Sequence, residues 1–175
     1  MSTRRPGDSG RTTAQGRRRK LGFDEVETGA WMQFESVAIM LHDVVNRGLV
    51  QHHRLTLADV HMLAYLKAHG PSPMGAIAET LMVAPGALTQ QARRLEQRRL
   101  VHRQASSDDG RRVMAMLTLD GARSLTAALK TYSGLVREHF LDELSRPQMI
   151  ALGDSCRRIS ARLKGADPAP DAHRS

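Results

Sequence analysis

Aromatic residues make up only 3% of this 175-residue chain, and cysteine occurs once, at Cys156. A single thiol excludes an internal disulfide framework. With so few rings, a core must be filled by Leu, Val, Ile, Ala and Met, and the 41% hydrophobic content suffices for one. No apolar run approaches the roughly 18 residues that a bilayer-spanning helix needs. The Arg-rich N-terminus has no apolar segment behind it and does not read as a secretory signal. The sequence also lacks a glycine-rich phosphate loop, a nucleophile elbow and an HExxH helix. These absences predict a cytoplasmic protein that is not an enzyme, carries no cofactor and does not engage a membrane.

Acidic residues are scarce relative to basic ones, giving a formal net charge of +8. That charge is unevenly spread. Residues 1–22 hold Arg4, Arg5, Arg11, Arg17, Arg18, Arg19 and Lys20 against Asp8 alone, a net +6 that leaves +2 for the remainder. A polyanionic partner for the folded part must therefore be argued from where its cations sit. Residues 1–22 are almost devoid of apolar side chains and read as a disordered basic tail, and 165–175 read likewise. Residues 23–164 form the folded domain, with a lobe at about 54–118.

Within that domain the period is helical, then strand-like, then helical again. Trp31, Phe34, Val37, Ala38, Leu41, Val44 and Val45 recur at steps of three and four, predicting a first helix from about 24 to 47 that Gly48 can end. Thr56 with Asp59 is a variant capping box opening a second helix, whose apolar face is Leu57, Val60, Leu63, Ala64 and Leu66 and which Gly70 stops. A short third helix begins near Pro73 and carries Ile77, Ala78 and Leu81. Pro85 suits the first position of a fourth helix running to about Arg98. Val101–Ala105 and Arg112–Thr118 then predict two strands around a polar Ser106–Gly110 turn. Leu119–Leu141 returns to helical spacing. A last helix from about Ser145 carries a seam of Met149, Leu152, Cys156, Ile159 and Leu163.

Two short helices followed at once by a polar-tipped hairpin is the order of a winged helix-turn-helix. The second helix of such a pair fits a major groove about 12 Å wide. The hairpin can lie along the neighbouring backbone and place a cation in the minor groove. The fold expected is mainly α with a small β-hairpin wing, flanked by N- and C-terminal dimerisation helices. The first and last helices each carry an apolar stripe that so small a domain cannot cover, which predicts a dimer.

Residues 31–163 resemble the MarR family of transcriptional regulators. The matching stretches are Leu55–Asp59, Ile77–Leu81, Arg94–Val101, and Asp109-Gly110-Arg111-Arg112-Val113 followed by Leu117-Thr118-Leu119-Asp120-Gly121. The resemblance implies a homodimer that reads a palindromic operator in double-stranded DNA, usually as a repressor released by a small-molecule effector. It makes Pro85, Gly86, Thr89, Gln90, Arg93 and Arg94 candidate DNA-contacting residues of the recognition helix. In the wing the candidates are Asp109, Arg111 and Arg112, with Asp109 orienting Arg111 toward the minor groove.

Three positions depart from the family pattern. Arg99 stands where a glycine is usual, so either this arginine adopts the left-handed conformation at a cost or the turn differs. Ala84 replaces a frequent serine, which removes a side-chain N-cap. Gln90 occupies a position that is often basic.

The remaining chemistry-bearing residues point less sharply. The histidines, among them His42, His52, His53, His61, His69, His102 and His139, show no ligand spacing beyond the His52-His53 pair, so no metal site is expected. Cys156 falls on an apolar stripe and reads as a packed thiol. The nine methionines suit core filling. Met62 and Met116, with His42, are the candidates for lining an effector cleft between dimerisation and DNA-binding parts. A metal-dependent regulator and a winged-helix protein-interaction module without DNA binding remain as alternative readings.

Overall fold

The computed structural model describes residues 22–105 and 113–165. The two expected tails, apart from Gly22 and Gly165, and the wing tip with Asp109, Arg111 and Arg112 lie outside them. The chain divides into two compact units between Asp43 and Val44, and the first helix, α1 (Glu25–His53), passes from one into the other.

In the first unit α1 opens on a reciprocal cap. The Asp24 N–H donates to Glu27 and the Glu27 N–H to Asp24, both at 2.8 Å. The apolar side chains that follow stand in solvent in the single chain. Trp31 is 49% exposed, Phe34 59% and Met40 56%, and Trp31 and Phe34 lie with ring centroids 6.1 Å apart.

The second unit holds the core. α2 (Leu57–His69) begins at the predicted box, with Thr56 accepting from the Asp59 N–H and Asp59 from the Thr56 N–H, and ends at Gly70 with φ +73°. A two-residue strand β1 (Ser72–Pro73) precedes α3 (Met74–Thr80), and α4 (Pro85–Gln97) follows after a turn. β2 (Val101–Ala105) and β3 (Val113–Leu117) are antiparallel, in register from Val101 opposite Leu117 to Ala105 opposite Val113. β1 adds to the far side of β3, giving the order β1-β3-β2. α5 (Leu119–Val136) continues into a π-helical turn at Arg137–Leu141, and α6 is Arg146–Gly165. The fold is a winged helix-turn-helix, mostly helical with a small sheet.

α2 packs against α5 and β3. Leu49, Leu55, Met62, Leu63, Leu66, Ile77, Leu88 and Leu95 are essentially without exposed surface, and the buried apolar residues include no aromatic among those described. No residue of α6 is buried; Ile150, Ile159 and Leu163 are more than half exposed. No described helix is long and apolar enough to cross a membrane.

Two expectations, on Gly48 and Cys156, need correcting. Gly48 does not end α1, which runs on to His53. A Cβ on Gly48 would fall 2.5 Å from a Leu135 methyl, so the glycine permits close helix approach rather than a stop. The third helix does begin at Pro73, its N-cap, which also belongs to β1, a strand too short to show a period. Cys156 is exposed in the single chain, as are Leu152, Ile159 and Leu163 of the same seam.

Candidate nucleic-acid interface

α4 has two faces. Leu88, Gln91, Ala92 and Leu95 are buried, whereas Gly86, Gln90, Arg93, Arg94 and Gln97 are exposed at steps of three and four. The helix therefore offers cations and amides along one stripe while its other side is anchored. Ala84 supplies no side-chain cap and Pro85 has no N–H, so the first turn leaves the Gly86 and Ala87 N–H groups at the positive end of the helix. Thr89, also a sequence candidate, donates its hydroxyl to the Pro85 carbonyl at 2.9 Å and is only part-exposed. The four arginines at the end of the helix have separate fates. Arg93 has no ion-pair or hydrogen-bond partner among the described residues. The Arg94 guanidinium lies 3.5 Å from the buried Asp59 carboxylate of α2. Arg98 turns away to the end of α1, where it donates to the carbonyls of His53 and Arg54. Arg99 adopts φ +60°, the left-handed alternative that its departure from glycine left open.

The wing is fastened to this helix by a contact that the sequence reading missed. Glu96 accepts from the Arg103 backbone N–H at 3.0 Å and from its guanidinium at 2.9 and 2.7 Å. The spacing of seven residues crosses a turn, so no helical rule announces the pair. The Arg103 hydrogen bonds hold the Glu96 carboxyl below its ordinary value of 4.5. A carboxylate depressed in the folded state adds stability above its unfolded pKa and loses it as pH falls through the folded value. The Glu96–Arg103 contribution should therefore be full at neutral pH and decay below about pH 4.5. Glu96→Gln should flatten that part of the acid limb in denaturation profiles; a limb as steep as wild type would exclude Glu96 as its source.

The exit from the wing explains the Leu-Thr-x-x-Gly motif. Thr118 caps α5 by accepting from the Gly121 N–H at 2.9 Å, and its hydroxyl donates to the Arg99 carbonyl at 2.7 Å. A Cβ on Gly121 would sit 2.1 Å from the Leu100 carbonyl oxygen. The motif thus seats α5 on the turn that ends α4.

Beside α4 lies a cavity of about 520 Å³ lined by Pro73, Met74, Gly75, Ala76, Glu79, Thr89, Arg103 and Val113. None of the three effector candidates lines it. His42 is exposed, Met116 is half-buried on β3 opposite His102, and Met62 has no exposed surface. A ligand could reach Met62 only if the core opened. No group of three or more His, Cys, Asp or Glu that could hold a metal ion occurs among the described residues.

The sequence profile of the MarR family matches residues 55–113, from the capping box into β3. The crystal structure of AbsC, a MarR family regulator from Streptomyces coelicolor, superposes with a TM-score of 0.73 at 26% identity, covering 82% of this chain and 97% of that one. In sequence this lobe is similar to the MarR family. The MarR-family regulator Sco3205 of the same organism, solved in complex with DNA, gives a TM-score of 0.77 at 22% identity over 85% of this chain and 95% of its own. In sequence, the chain is 40% identical over 67 residues to the HTH-type transcriptional repressor MdtR of Bacillus subtilis (strain 168). That alignment spans 38% of this chain and 43% of the repressor, less than half of either.

Proposed function

We propose that this chain is a MarR-family transcriptional regulator that binds double-stranded DNA sequence-specifically as a homodimer, acting in the cytoplasm as a repressor that a small molecule releases. The observation that carries this reading is the two-faced recognition helix. Gln90, Arg93, Arg94 and Gln97 face solvent on an element whose other side is locked into the core. A helix held this way can enter a major groove without paying to order itself. The open N–H groups at Gly86 and Ala87 suit a backbone phosphate. Asp109, Arg111 and Arg112 complete the proposed contacts, with Arg111 in the minor groove and Asp109 orienting it. The dimer reading is supported by the exposed apolar side chains of α1 and, separately, of α6, since patches of that kind mark association surfaces.

Release requires a ligand with different affinities for the DNA-competent and incompetent arrangements. For the effector, His42, Met62 and Met116 stay as candidates, Met62 only if uncovered, beside the cavity next to α4, whose volume is in the range of small-molecule sites.

The test is a band shift of purified protein on DNA from upstream of its own coding region and on random duplex, across a salt series. Light scattering would run in parallel. The reading expects a dimer, preference for the promoter fragment and affinity that falls steeply with salt. A monomer at micromolar concentration, or no salt-dependent shift with either duplex, would reject it and favour a protein-interaction module.

A further inference from the structure

Arg98 is the last residue of the recognition helix's C-terminal turn, a position from which an exposed arginine would ordinarily be read as a phosphate contact. Its guanidinium is instead committed inward. One N–H donates to the His53 carbonyl at 3.1 Å and another to the Arg54 carbonyl. These are terminal carbonyls of α1, which have no partner within that helix. The corner they belong to is unusually well restrained. Arg54 closes α1 in the left-handed region at φ +53° and donates its N–H to the Val50 carbonyl at 2.9 Å. Asn46 reaches forward from α1 to accept the Leu57 N–H at 2.9 Å. The His53 ring meets the Thr131 hydroxyl of α5 at 2.8 Å. Leu55, between them, is fully buried. The corner at 53–57 is thus tied to α5, to α2 and, through Arg98, to the end of the recognition helix.

We propose that Arg98 is a positioning residue rather than a DNA contact: it hangs the C-terminal end of α4 from the α1–α2 corner and so sets the angle at which α4 is presented. This rests on the DNA-binding reading above for its consequence, but the clamp itself does not. Geometry favours the clamp over simple charge neutralisation. Two carbonyls are bridged by one planar fork, which arginine offers and lysine's single ammonium does not. The next residue, Arg99, turns left-handed at φ +60°, so the backbone leaves the helix at the point where Arg98 pins it.

The experiment compares Arg98→Ala and Arg98→Lys with wild type in two assays. In the free protein, amide hydrogen exchange is followed at Arg54, Thr56 and Leu57. On DNA, affinity for the operator and for random duplex is measured across a salt series. The clamp predicts faster exchange at the corner in both variants. It also predicts about a tenfold loss of operator affinity in both, since the charge-assisted bonds lost are worth about that much. Random-duplex affinity and the salt slope of operator binding should stay close to wild type. A phosphate contact predicts the reverse: Arg98→Lys close to wild type, and Arg98→Ala lowering the slope by about 0.9 on both duplexes. That result overturns the proposal, as does unchanged exchange at the corner in Arg98→Ala. If wild-type protein binds no duplex, the DNA-binding reading fails on its own, and the exchange data still decide whether the clamp exists.

Discussion

Gly121→Ala is expected to destabilise the protein by about 3 kcal/mol, at the upper end of what forced overpacking costs. The added methyl would overlap the Leu100 carbonyl oxygen at 2.1 Å and a Leu117 methyl at 2.8 Å. The leucine side chain can move, but the carbonyl cannot move freely, because it accepts the Thr118 N–H at 3.2 Å where the wing returns to α5. Relief would require α5 to lift from the turn, breaking the Thr118 cap on the Gly121 N–H. For a domain of this size the loss should lower the melting temperature by about 10 °C. Gly134→Ala in the same helix is the control. Nothing lies within 4 Å of the added Cβ there, and alanine's helix preference should stabilise by about 0.5–1 kcal/mol. Chemical denaturation of the two variants measures both. Equal effects would mean that helix propensity, not the approach to Leu100, decides.

Gly121 also shows what the sequence makes legible. Local chemistry could be read directly: the Thr56–Asp59 box, Gly70 as a stop, Pro85 at the first turn of α4 and the strand at Val101–Ala105 all occur where spacing and propensity put them. Each depends on neighbours within four residues, or on a period. The features that escaped depend on distant partners. Gly48 looks like a helix end until Leu135 is brought against it. β1 is two residues long and contains a proline, and only β3 makes it a strand. Glu96 shares its helix with Arg93 and Arg94, yet it takes Arg103 from the wing. Cys156 sits on a real apolar stripe, and the stripe is open because a single chain has nothing to lay on it. At the interface, pattern identified which residues lie on α4 but not which of the four arginines remain available. Arg94 is ion-paired, Arg98 is committed to α1, and Arg99 spends its backbone on the turn.

That sorting leads to the largest effect expected on binding. Arg93→Ala and Arg94→Ala together should weaken operator affinity about a hundredfold at 0.1–0.15 M salt, taking about 1–1.5 kcal/mol for each cation lost from the interface. The salt slope should fall by about 2 if both side chains neutralise phosphates. The single variants should separate. Arg93 has no partner among the described residues, so Arg93→Ala should weaken binding with an unchanged melting temperature. Arg94 is 3.5 Å from Asp59, whose carboxylate is 7% exposed. Its Oδ1 atom has no hydrogen-bond partner among the described residues, so the guanidinium is the positive charge that compensates it. Arg94→Ala would leave that carboxylate buried without its counter-charge, and should cost about 1–2 kcal/mol of stability as well as affinity. Asp59→Asn, which removes the charge and keeps an acceptor for the Thr56 N–H, should recover part of the stability lost in Arg94→Ala but none of the affinity. Fluorescence anisotropy on labelled operator, with melting curves on the same samples, reads both quantities. Wild-type affinity in the double variant would remove this face of α4 from the interface, whatever the family resemblance implies. Recovery of affinity with Asp59→Asn would show that Arg94 serves the fold and only indirectly the DNA.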